Sequence, residues 1–147
     1  MTGFNHGLNG ALIALVVKQP ALAIPLSFAS HYATDAVPHF SFASDELLGR
    51  KFNRFIKADF TFSIFLMVVL GALFPAHAFL IWACMIAAAI PDIVWWFYRK
   101  SAKSWPEGLG KFGSYHSRLN GKVHVSHFYF DTVWFVLVFG LILLVGG

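Results

Sequence analysis

The run Ser30-His31-Tyr32-Ala33-Thr34-Asp35 carries two groups able to hold a metal ion, and Pro38-His39 follows it closely. His31 and Asp35 are four apart, so a helix places them on one face one turn apart, where they can supply two ligands to a single divalent ion. The same spacing also suits a plain histidine–aspartate hydrogen bond that closes a helix end. His39 leaves that helix after Pro38 and can turn back toward the same point. Further candidates are spread along the chain: His6, Asp59, Asp92 after Pro91, His116, and the group His124, His127 and Asp131. Such a mixed set of imidazoles and carboxylates suits Zn, Mn or Fe. An ion held by it would lower the pKa of a bound water toward ~7.

Each candidate also has a plainer reading. Asp92 can be a solvated helix end beside the interfacial pair Trp95 and Trp96. Asp59 can pair with Arg54 or Lys57. His124 and His127, with Asp131 four further on, form either a second ligand pair or a polar stripe packed on the end of the second helix. The chain has no phosphate-cradling glycine loop, no nucleophile elbow and no CxxC pair.

Apolar helices must bring these residues together. Of 147 residues, 58% are hydrophobic and 12% charged, against roughly 25% charged in a soluble domain. Apolar segments cover 8–17, 20–37, 56–74, 76–97 and 123–145. The last three reach the ~20 residues needed to span hydrocarbon. Only Lys18-Gln19-Pro20 separates the first two, which read as a short helical hairpin, either spanning or re-entrant. The expected fold is therefore an all-α, polytopic membrane bundle of about five helices, a single transmembrane domain over 1–147. Pro25 should bend the second helix, Pro38 should end it, and Phe74-Pro75-Ala76-His77 should form a turn. Cys84 lies in an apolar run, and the first segment lacks the basic region and cleavage site of a signal peptide.

Arg50, Lys51, Arg54 and Lys57 precede the third segment, and Arg99, Lys100, Lys103, Lys111, Arg118 and Lys122 lie between the fourth and fifth. Alternating helix direction puts both groups on one side and Lys18 on the other. The positive-inside rule makes the basic side cytoplasmic, with the amino terminus inside and the protein multi-pass in the inner membrane. The net charge of +4 is then a matter of topology, and no nucleic-acid partner is expected. The same threading gathers His6, His31, Asp35, His39, Asp59, Asp92, His116, His124, His127 and Asp131 at the cytoplasmic ends and leaves His77 on the far side. An Asp at mid-helix costs about 2.5–3.5 kcal/mol on insertion scales, so such groups usually face one another, a cavity or a metal.

His6 before an apolar hairpin, the SHxxxD pattern at Ser30 to Asp35 followed by Pro38-His39, Pro91-Asp92, and His116-Ser117 together resemble the membrane-bound metal-dependent hydrolases of the YdjM type. These are grouped with zinc-dependent phospholipases C and single-strand nucleases of the P1 kind. The resemblance covers most of the chain through short motifs. It implies a helical metal site, with zinc first and manganese or iron as alternatives, that hydrolyses a phosphoester, including one in a lipid. Carried over, it makes His6, His31, Asp35, Asp92 and His116 metal ligands, while Asp59 joins them, and His39 the site, by convergence alone. The motif order differs from the family's, which puts SHxxxD last. Val94 stands where a second acid is usual, and Tyr115 where a threonine is.

The expected function is a metal-dependent phosphoester hydrolase at the cytoplasmic interface. Its nucleophile would be water, and His116 or His39 would protonate the leaving group. Arg50, Arg54 and Lys103 would attract an anionic lipid head group or simply set the topology. The alternative is a non-enzymatic small membrane subunit with a partner in a larger complex. Histidines at span ends disfavour a haem or pigment site, and acids near span ends disfavour a transporter.

Overall fold

The computed structural model describes residues 1–40, 49–100 and 128–147, with the side chains of 98–100 left aside. It contains α1 (Gly3–Val17), α2 (Pro20–Asp35), α3 (Arg50–Leu73), a 3-10 turn (Pro75–His77), α4 (Ala78–Lys100) and α5 (Phe128–Gly146), and no strand among the described residues. The all-α bundle expected from the sequence is what forms. Arg50–Leu73, Pro75–Phe97 and Phe128–Gly146 are long and apolar enough to cross a membrane, which marks the chain as a membrane protein. Little of α3 and α5 is covered by the bundle. Phe60, Phe65 and Val68, and likewise Val136, Leu137 and Leu144, are exposed apolar side chains, as surfaces facing lipid must be.

Several boundaries move for identifiable reasons. α1 begins at Gly3, because Asn5 and His6, which interrupt the apolar pattern, are buried inside the helix. α2 ends at Asp35, ahead of Pro38, since the residue before a proline is driven out of the helical region. α3 starts at Arg50, so its basic first turns extend beyond the apolar stretch. α4 passes through Pro91 to Lys100, which puts Asp92 inside the helix and not at its close. The hairpin turn is sharp: Lys18 takes a left-handed φ of 57° and donates its N–H to the Ala14 carbonyl, and Pro20 opens α2 at its first position.

The central element is α1, which touches all four other helices. Leu8, Ala11, Ala14 and Leu15 pack with Ile81, Cys84 and Met85 of α4 and with Leu66, Leu70, Val138 and Ile142. Small residues permit this approach. A Cβ on Gly10 would run into the backbone of Cys84, so α1 and α4 meet there backbone to backbone. At the far end, Trp82 donates its indole N–H to the Met67 carbonyl at 2.8 Å, and Gly146 lies against the ring of Phe74. α3 and α5 thus finish at the same end of the bundle, as alternating directions require.

Candidate metal centre

Around residues 1–6, which lead into α1 and form its first turn, stands a tier of four aspartates, one from each surrounding helix: Asp35 of α2, Asp59 of α3, Asp92 of α4 and Asp131 of α5. They divide into two kinds.

Asp59 and Asp131 are anchors. Asp59 accepts the backbone N–H of Gly3 at 2.8 Å and of Phe4 at 3.0 Å. These amides open α1 and have no partner within the helix, so a carboxylate from another helix serves as the cap. Asp131, fully buried, accepts from the Thr2 N–H at 3.1 Å, the Thr2 hydroxyl at 3.0 Å, Asn5 Nδ2 at 3.3 Å and the Phe40 N–H at 2.6 Å. It ties α5 to the start of α1 and to the chain leaving α2.

Asp35 and Asp92 face the two histidines. Asp35 Oδ1 lies 3.2 Å from His6 Nε2, and Oδ2 lies 3.1 Å from His31 Nε2. Asp92 lies 3.7 Å from each of the same two nitrogens. His6 and His31 are stacked, with ring centroids 3.9 Å apart. Ligand atoms of His6, His31 and Asp35 all fall within 4.8 Å of one another. The Met1 ammonium also meets Asp35 Oδ1, at 2.7 Å. His6, His31 and Asp35 are fully enclosed, whereas the Asp92 side chain is 35% exposed and marks the open side.

The tautomers follow from the partners. His31 Nδ1 lies 2.8 Å from the Ala88 carbonyl, which can only accept, so Nδ1 carries the proton. Pro91 withholds the N–H that the neighbouring Ala87 carbonyl would take, which opens the α4 ladder beside the oxygen His31 uses. His6 Nδ1 lies 3.0 Å from Thr34 Oγ1, whose own proton goes to the Ser30 or His31 carbonyl. The Thr34 oxygen therefore accepts, and His6 Nδ1 is also protonated. A neutral ring in either case turns its Nε2 toward carboxylate oxygens. Acceptor facing acceptor is repulsive unless a cation, proton or metal, stands between them. His6 Nε2 is buried and makes no hydrogen bond of acceptable geometry, which speaks against the proton.

The donor set fits a divalent ion. A tetrahedral ion with N and O ligands at about 2.0–2.2 Å separates its donor atoms by about 3.3–3.6 Å; the compact group is His6, His31 and Asp35, with imidazole-to-carboxylate separations of 3.1–3.2 Å, and Asp92 stands 3.7 Å from both nitrogens outside that group. The Ala88 carbonyl at His31 Nδ1 is a partner of the kind that usually orients a ligand histidine, and the Thr34 hydroxyl oxygen takes the corresponding place at His6.

No known protein family, curated protein or solved structure matches this chain.

Of the residues expected at the site, His6, His31, Asp35 and Asp92 come together. Asp59 belongs to the same tier, but both its oxygens are engaged by α1. His39 is buried, and its Nδ1 lies 2.7 Å from the Val37 carbonyl, which leaves Nε2 as a lone pair with no partner. Burial holds its imidazole below the usual histidine range, and the Met1 ammonium adds to this. Its imidazole is thus held neutral, with Nε2 open to take up a proton and pass it on. His116, His124 and His127 lie outside the described residues. Thr34 and the Ala88 carbonyl escaped the sequence reading. Thr34 had a signal, lying three residues from His31 on the same helix face, whereas a backbone carbonyl of another helix leaves none.

Proposed function

We propose that the chain is a metal-dependent membrane hydrolase of phosphoesters, akin to the YdjM type, with its site at the cytoplasmic interface of the inner membrane and its amino terminus inside. The observation that carries this reading is the pair of imidazoles, each pinned through Nδ1 and each turning Nε2 toward Asp35 and Asp92. His6, His31, Asp35 and Asp92 would hold the ion, with zinc the best match to two nitrogens and two oxygens. When bound, it supplies Lewis acidity and a water acidic enough to attack at neutral pH.

The residues of the chain do the rest. Thr34 and Ala88 fix the ring planes. Three enclosed ligands and one open flank at Asp92 favour a site that admits substrate over a sealed structural one. In the reaction, the water oxygen bonds to phosphorus, the ester P–O bond breaks, and a proton passes to the leaving alkoxide. The bare Nε2 of His39 suits it to accept the proton that water releases. The exposed Arg50 and Arg54 open α3 at the same end of the bundle, where they favour an anionic head group.

The test is metal analysis of detergent-purified protein beside His31→Ala and Asp35→Ala, followed by assay of metal-loaded protein on phosphatidylglycerol vesicles for release of the phosphorylated head group. The expected result is about one tightly held divalent ion per chain, lost in both variants, and release only with metal. Wild-type protein that binds no stoichiometric ion defeats the proposal.

A further inference from the structure

A groove runs along the outer side of the helical hairpin, away from the polar tier. Ile13 and Val16 of α1 and Leu26, Ala29, Ser30 and Ala33 of α2 are among its walls, and its volume is about 450 Å³. It exists because α2 offers small side chains opposite branched ones of α1. Ala29 and Ala33 are exposed and too short to close it. Ser30 adds little polarity, since its hydroxyl donates to the Ser27 carbonyl at 2.7 Å.

We propose that this groove holds one acyl chain of an anionic membrane phospholipid whose phosphoester lies at the open Asp92 flank of the metal centre; this assignment of substrate rests on the hydrolase reading above. Four observations support it. The walls are apolar, so an occupant with polar groups would leave them without partners. From Leu26 to Ala33 the groove extends about 10 Å at 1.5 Å per residue, and a helix 10–12 Å across would sweep roughly 800–1,100 Å³ over that length, about twice the space. A single alkyl chain enters where a helix does not. A hydrogen-bond relay links its wall to the proposed centre: the Ser30 carbonyl accepts from the Thr34 hydroxyl, whose oxygen accepts from His6 Nδ1. Finally, Arg50, Lys51, Arg54 and Lys57 lie at that end of α3, so the charge there complements a phosphate.

The full chain is reconstituted in phosphatidylcholine vesicles doped with phosphatidylglycerol that carries a diazirine on one acyl chain, and photo-cross-links are mapped by mass spectrometry. Labelling is expected to concentrate on residues 12–17 and 26–33. Ala29→Phe and Ala33→Phe should cut it about tenfold while leaving metal content unchanged, which also shows that these variants fold. His31→Ala should lose metal but keep the label. Labelling spread evenly over the exposed faces of α3 and α5, insensitivity to both Phe variants, or groove cross-links to a second copy of the chain would each overturn the assignment. If the groove is labelled but no head group is released with any divalent ion, the hydrolase reading fails and the chain-binding groove stands. If head group is released without groove labelling, the hydrolase reading stands and the groove assignment fails.

Discussion

The imidazoles of His6 and His31 lie face to face, centroids 3.9 Å apart and planes inclined by 24°, although they come from opposite arms of the hairpin. Two stacked rings, each with its Nδ1 proton committed elsewhere, turn both Nε2 atoms to one place. That relationship depends on Thr34 and on the Ala88 carbonyl as much as on the histidines.

Thr34→Val keeps the shape of the side chain and removes the acceptor for His6 Nδ1. Loss of such an orienting partner typically weakens metal affinity by about 10–100-fold. Competition with a metal-chelating dye should show this drop, with helix content by circular dichroism unchanged. Retention of wild-type affinity would mean that the Thr34 contact does not orient a ligand.

Asp59 is a cap for α1, so its removal should act on stability and not on metal. Asp59→Ala strands the Gly3 and Phe4 amides and should cost about 2 kcal/mol, read as a lower midpoint of thermal unfolding in mild detergent. Metal stoichiometry should be unchanged. An equal loss of metal would place Asp59 among the ligands.

Gly10 permits the backbone contact between α1 and α4. Gly10→Ala must push the helices apart, at a cost of about 1–3 kcal/mol. Because His6 is on α1 and Asp92 on α4, the same variant should weaken metal binding without touching a ligand. Gly140→Ala, where an added Cβ meets nothing within 4 Å, is the matched control and should do neither.

Orientation can be read by labelling. Single cysteines at Ser101 and Gly147, in a Cys84→Ala background, should react with an impermeant maleimide in intact cells only at position 147. Reaction at 101 would invert the topology and move the site to the outer face.

Much of this architecture was legible in residue patterns. Apolar runs of sufficient length marked the spans, and the four-residue step from His31 to Asp35 marked one face of a helix aimed at something polar. The middle of the bundle was not legible. At 15 residues α1 is shorter than a span, and Asn5, His6 and Asn9 interrupt its apolar pattern, yet those residues are polar where four helices surround them. Gly7, Gly10, Ala11 and Ala14 were the available clue, since small residues let helices approach closely. The roles of Asp59 and Asp131 were out of reach for another reason. Each is fixed by partners at the other end of the chain, and a carboxylate that caps a distant helix has the same local sequence as one that binds an ion.

The aspartate tier has a consequence for the surrounding bilayer. From Asp59 to Leu73 of α3, from Ala78 to Asp92 of α4 and from Asp131 to Gly146 of α5, each helix rises about 21–23 Å at 1.5 Å per residue, so the carboxylates lie within the reach of a hydrocarbon core about 30 Å thick. A carboxylate tier at that depth favours local thinning of the nearer leaflet. Such thinning would bring the phosphate layer toward Asp92, so a lipid would reach the proposed site by membrane deformation and would not have to be lifted out.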